Sequence, residues 1–188
     1  MAEEWFYFAL GAALVLILVA TRRRFADFLA QTVDDYAEDS PLFDLRSHLN
    51  GQMICEGMIF GPFGRMTSTF QAEFDIVWKG NSCTMKEAFV FNDGTTQHRE
   101  WRLELDGGGG FDAWADDVPG KAHGEMSGPA VLFNYPIKLP EASGGYTLRA
   151  FDCMYLTKGG TVVNRSQFRK FGFKVAELVA TIRKKEVV

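Results

Sequence analysis

Cysteine, histidine and excess basic charge are all scarce in this chain of 188 residues. Three cysteines, at positions 55, 83 and 153, cannot all pair internally, and none has CxxC spacing. That argues against a disulfide framework and against a cysteine-built metal or redox centre. The three histidines, His48, His98 and His123, are scattered without metal-ligand spacing. A formal net charge of −4 is the wrong sign for a dedicated nucleic-acid binder. Recognised nucleophile and phosphate motifs are missing too. Around Ser127 the glycines Gly124 and Gly128 lie three before and one after, whereas a nucleophile elbow needs two and two. The run Asp106 to Gly110 has the glycines of a phosphate cradle but no GK[ST] ending, so it predicts a hairpin loop. Asp116-Asp117 supplies far fewer oxygens than a calcium site needs and predicts a solvated turn. The sequence therefore signals no cofactor and no metal.

What is present is apolar and aromatic. Hydrophobic residues make up 47% of the chain and aromatics 14%, with 17 Phe, a composition that favours strands around a large apolar interior. The longest apolar run, Trp5 to Ala20, is followed closely by Arg22-Arg23-Arg24. With interfacial aromatics at one end and arginines at the other, it predicts a single transmembrane helix over residues 1–24. Its acidic start, Glu3-Glu4, and the arginines at the expected cleavage position speak against a secretory signal. The arginines place the following domain in the cytoplasm by the positive-inside rule. Residues 25–50 form an extension and connector. Within it Phe25, Phe28, Leu29, Val33 and Tyr36 have helical spacing, which predicts a helix continuing from the anchor to about Ser40-Pro41, its apolar stripe packing on the domain rather than on lipid headgroups.

From residue 51 to 188 the pattern changes to period two. Phe70, Ala72, Phe74, Ile76 and Trp78 share one face; so do Trp101, Leu103 and Leu105, and again Val131, Phe133, Tyr135, Ile137 and Leu139. Gly-containing turns recur between these runs, as at Gly61 to Gly64, Lys79 to Asn81, Asn92 to Gly94 and Lys158 to Gly160. The fold class is therefore all-β, an up-and-down antiparallel β-barrel of about 8–10 strands, lipocalin-like, with a β-sandwich as the alternative. Residues 173–184 read as a strand or, from Val175, Leu178, Val179 and Ile182, as a helix. The strand reading is preferred, with a bend at Gly172.

Asp152 lies on the same strand face as Leu148, Met154 and Leu156, so it is expected to point inward. A two-residue loop after it places it opposite Arg165 or one step diagonal to it. A three-residue loop places it opposite Ser166 and turns Arg165 to the other face. Asp152, Asn164 and Arg165, with Trp101 and Tyr135, are the candidate ligand-binding residues.

The stretches at 43–51, 61–70, 115–128, 154–156 and 164–178 (FDLRSHLNG, GPFGRMTSTF, ADDVPGKAHGEMSG, MYL and NRSQFRKFGFKVAEL) resemble the bacterial family known as domain of unknown function 3833. The resemblance implies no established activity. Many relatives look like lipoproteins, which implies a periplasmic domain, opposite to the charge rule. Relatives encoded beside photolyase-like and cyclopropane-fatty-acid-synthase-like genes imply membrane lipid modification or stress. At Phe151-Asp152-Cys153 this chain departs from the family's acidic residue and Trp around that Asp. The function expected is a barrel anchored in the inner membrane that binds a hydrophobic small molecule or lipid, with the bilayer and no nucleic acid as partner. An enzyme or accessory factor acting on lipids and a scaffold protein are the alternatives.

Overall fold

The computed structural model describes residues 2–186. Helix α1 (Ala2–Phe25) comes first, and its segment Glu3–Arg22 is long and apolar enough to cross a membrane. Twenty residues at 1.5 Å each span ~30 Å, the thickness of a bilayer's hydrocarbon core. The predicted continuation of this helix does not occur. After Phe25 the chain makes two short 3-10 turns, Phe28–Ala30 and Val33–Tyr36, and runs as a strap along the outside of the barrel. Phe28 packs on Phe151 (ring centroids 5.3 Å) and Tyr36 on Tyr155 (5.7 Å). The helical spacing of the aromatics is real, but it serves contacts strung out along the wall.

The strap leads to α2 (Leu45–His48), a single turn capped by Asp44, whose carboxylate accepts from the Arg46 N–H and the Ser47 hydroxyl. Ten antiparallel strands follow: β1 (Gly51–Phe60), β2 (Met66–Lys79), β3 (Ser82–Phe91), β4 (Thr96–Leu105), β5 (Gly110–Trp114), β6 (Ala122–Ser127), β7 (Ala130–Lys138), β8 (Thr147–Leu156), β9 (Val162–Lys170) and β10 (Phe173–Lys184). Each pairs with its neighbours in sequence, and β10 closes on β1. The fold is thus the closed up-and-down barrel that period-two patterning predicts, not a sandwich, and 173–184 is strand. At β9–β10 a two-residue turn, Phe171-Gly172, has both φ angles positive (51° and 82°), the geometry of a type I′ hairpin.

The barrel has two unlike ends. At the plug end, the connector folds across the opening, and Phe43, Leu45 and Leu49 join the interior core. Trp78 Nε1 donates to the Leu49 carbonyl (2.8 Å), and the Phe43 N–H to the Gly128 carbonyl (2.8 Å). Gly128 is required here: a Cβ on it would lie 2.0 Å from the Tyr36 carbonyl oxygen, and its φ is +51°. The anchor end carries the β1–β2, β3–β4, β5–β6, β7–β8 and β9–β10 connections. The β5–β6 loop folds inward, burying Ala115 and Val118, but the inward-facing Ile59, Phe91 and Phe168 are only partly covered and Gln97 is exposed.

Candidate functional site

Strand parity decides what enters the lumen. The register Cys83↔Leu103, Met85↔Trp101, Glu87↔Arg99 puts two charged residues on the same inward face as Met85, Phe89 and Trp101. On the opposite wall, Asp152 pairs with Ser166, and Met154 with Asn164. Between the two walls lies a cavity of about 130 Å³ that Glu87, Arg99, Trp101, Tyr135, Asp152 and Asn164 help to line. Its remaining surface is mostly aromatic and aliphatic, from Leu45 near the plug to Phe168. The cavity therefore combines an apolar body with a few convergent polar groups, the usual composition of a small-molecule site.

The carboxylate of Asp152 is held by Asn164 Nδ2, by Ser166 Oγ (2.8 Å) and, more distantly, by the Tyr135 hydroxyl (3.5 Å). Burial pushes its pKa above the usual carboxylate range, while these donors and the Arg99 charge pull the other way. Glu87 is more extreme. It is 8% exposed and accepts no hydrogen bond from any described residue. Burial pushes its pKa up to about 7, against the opposing pull of Arg99. Arg99, its side chain 14% exposed, bonds through Nε to Asp117 on the β5–β6 loop (3.0 Å) and lies over the Trp101 ring at 4.2 Å. Its Nη2 is buried without a hydrogen-bond partner. A buried donor, Arg99 Nη2, thus remains unsatisfied at the cavity, which costs stability unless something else occupies it, and Glu87 lines the same space without a hydrogen-bond donor of its own.

Four of the five residues expected from the sequence, Asp152, Asn164, Trp101 and Tyr135, line this cavity. Arg165 does not. The loop Lys158–Gly160 has three residues, since Thr157 donates to Thr161 (2.9 Å) and Leu156 pairs with Val162. That register sets Asp152 opposite Ser166 and turns Arg165 outward, where it meets Glu177 (2.6 Å) and the Phe28 ring (4.4 Å). Asp117 also departs from the expected solvated turn, through its ion pair with Arg99. Glu87 and Arg99 are the additions that the sequence reading missed. The signal was available, because both continue the inward parity of Met85 and Trp101.

Other chemistry is sparse. All three cysteines are free and buried, and burial raises each thiol to about 12, so none is a ready nucleophile. Among the described residues no group of three or more His, Cys, Asp or Glu could hold a metal ion.

Two solved structures share the barrel. An S-type phycobiliprotein lyase from Guillardia theta aligns with a TM-score of 0.53 at 8% identity, covering 76% of this chain and 91% of that one. A DUF3598-family protein of unknown function from Nostoc punctiforme PCC 73102 aligns with a TM-score of 0.53 at 12% identity, covering 78% of this chain but 51% of that one. At such identities the likeness is one of fold. No curated protein matches the sequence. The model of the family described as protein of unknown function (DUF3833) matches residues 24–184, almost all of the strap and barrel, and the chain belongs to that family.

Proposed function

We propose that the barrel binds a small, largely apolar molecule bearing one neutral polar group, and that α1 tethers this binding module to a membrane. The observation that carries the reading is a largely apolar cavity lined by Arg99, whose Nη2 is a buried donor without a partner, and by Glu87, whose carboxyl accepts no hydrogen bond from the described residues. Size limits the ligand. An engineered cavity of roughly 150 Å³ takes benzene, so about 130 Å³ holds one ring or a short chain segment. Anything longer extends toward the partly covered anchor end. Charge limits it further. Arg99 is already paired with Asp117, and Glu87 and Asp152 both resist ionisation, so a carboxylate headgroup would enter without a free cation to meet it. A carbonyl or hydroxyl can accept from Arg99 Nη2, and a hydroxyl or amide can also donate to Glu87.

Calorimetric titration of the full chain in detergent with hexanol, hexanamide and hexanoate tests this. Binding of the neutral pair with negative ΔCp, weaker binding of hexanoate, and loss of binding in Arg99→Met are expected. Absence of heat with all three, and no small molecule retained in native mass spectrometry, would refute it. A second reading, catalysis on a lipid-like substrate, draws on the Glu87 pKa of about 7, suited to proton transfer at neutral pH. It requires membrane lipid composition to change in a Glu87→Gln strain whose barrel remains folded. The arginine cluster at 22–24 favours a cytoplasmic barrel, and a C-terminal reporter fusion tests that orientation.

A further inference from the structure

The anchor end of the barrel differs from the plug end in what its hairpins present to the surroundings. Phe63, at the tip of β1–β2, is 93% exposed, and Phe171, at the tip of β9–β10, is 90% exposed. Since β1 pairs with β10, the two tips are neighbours on one rim. Phe173 and Met66, beside them, are exposed as well. The plug-end loops are polar by comparison, with Lys79-Gly80-Asn81, Asp106 to Gly109 and Lys158-Gly159-Gly160. Leu42 is exposed at the plug end, but it stands alone there, whereas Phe63, Met66, Phe171 and Phe173 gather on two adjacent hairpins, and a cluster of that kind needs an explanation.

Phe171 adds a second observation. Among the described residues it is the only non-glycine with positive φ, at 51°. Asn or Asp before Gly is the favoured pair for such a turn, and a bulky residue there is strained. Strain of this kind points to a role beyond folding. A third observation says what covers the rim. Val19 and Arg22 of α1 line the same crevice as Gly172, Phe173 and Lys174. Val19 belongs to the apolar part of the spanning segment and Arg22 ends it. With α1 spanning a bilayer over this segment, the β9–β10 tip comes level with the boundary between acyl chains and headgroups. Basic residues stand just behind the tips: Arg65 follows Gly64, and Lys170 precedes Phe171, with its Nζ 3.2 Å from the Tyr146 ring centroid. Aromatic tips backed by cations suit a bilayer interface containing anionic lipid.

We propose that Phe63 and Phe171 insert into the interface of the bilayer that holds α1, seating the anchor end of the barrel on the membrane. The inference rests on reading α1 as a membrane anchor, and not on the identity of the cavity's ligand. Docking of this kind makes the bilayer the phase from which the cavity is loaded, because the partly covered end faces it.

The test uses the full chain in vesicles of phosphatidylcholine with a minor share of phosphatidylglycerol. Phe63→Cys, Phe171→Cys and, at the plug end, Lys158→Cys are labelled singly with a nitrobenzoxadiazole fluorophore, while the three native thiols are buried. Lipids carrying a nitroxide near the headgroup should quench the probes at 63 and 171 and leave that at 158 unchanged. In Phe63→Asp, quenching of a probe at 171 should fall. Probes at 63 and 171 as water-exposed as that at 158 would overturn docking, provided the chain resists alkaline carbonate extraction. A chain extracted by carbonate would overturn the anchor itself and docking with it. Neither result would touch ligand binding by the cavity, which calorimetry reads separately.

Discussion

At the plug end, Phe43, Leu45 and Leu49 complete the core, and the connector that carries them is fastened by Trp78 and Gly128. At the anchor end, inward-facing Ile59, Phe91 and Phe168 keep contact with the outside, and two adjacent hairpin tips, at Phe63 and Phe171, are aromatic. The same ten-stranded wall thus has one end built as a core and one built as a surface. The plug buries apolar side chains as any interior does, and its sequence obeys the local rules: a capped turn and a glycine where only a glycine fits. The other rim breaks those rules, with Phe at a positive φ and apolar side chains left in the open. Natural sequences tend to depart from local consistency where function requires it.

Breaking the plug should have the largest effect. Leu45 is 1% exposed and lines the cavity, so Leu45→Ala removes core and enlarges the cavity together. A loss of about 2–5 kcal/mol is expected, read from urea unfolding. The widened cavity should also admit longer alkanols, which would make the two ends more alike. Gly128→Ala attacks the same closure through the backbone, forcing a Cβ onto the Tyr36 carbonyl at a left-handed φ. More than about 2 kcal/mol is expected, because positive φ and steric overlap add.

Between the two ends, Glu87 gives a pH signature. Its pKa is about 7 in the fold against 4.5 for the free side chain, so the folded state holds a proton that the unfolded chain has lost across that window. Stability contributed by this group is fully present below pH ~4.5 and falls as pH rises toward 7, by up to about 3 kcal/mol. Glu87→Gln stays neutral throughout. It should flatten the decline in stability measured by urea titration between pH 4.5 and 7.5, and exceed the wild type at the upper end. An unchanged slope would mean that Glu87 is ionised and solvated in the fold.

Much of the wall was legible in the sequence, because a strand's side-chain period is two whatever it pairs with. The alternation at 70–78, 101–105 and 131–139 sufficed to predict a barrel, and the apolar run ending in arginines to predict the helix. The packing of the strap on the barrel was legible from its apolar stripe, but its conformation was not, because helical spacing among Phe28, Val33 and Tyr36 does not distinguish a helix from an irregular segment docking on a curved wall. Arg165 was placed by a loop length that the sequence leaves open, and one residue in that loop reverses the parity of every side chain after it. Glu87 and Arg99 sat in plain alternation with Met85 and Trp101. Arg99 is tolerated inside because Asp117 pairs with it and the Trp101 ring lies beneath it, and neither partner is visible from strand alternation alone.

The smallest expected effect concerns the tip of β9–β10, and it is the sharpest test of the contrast between ends. Phe171→Asn creates Asn-Gly, the preferred pair for a turn with two positive φ angles. Phe171 is 90% exposed, so almost no packing is lost. The barrel should therefore gain roughly 0.5 kcal/mol in urea unfolding, within the usual range for relieving turn strain. If the rim is a membrane-facing surface, the same variant should seat less firmly on vesicles, seen as weaker nitroxide quenching of a probe at position 63. Greater stability with weaker docking would mean that Phe171 is kept for the interface at the expense of the turn. A loss of stability instead would make Phe171 part of the fold, and the difference between the two ends would then be one of packing alone.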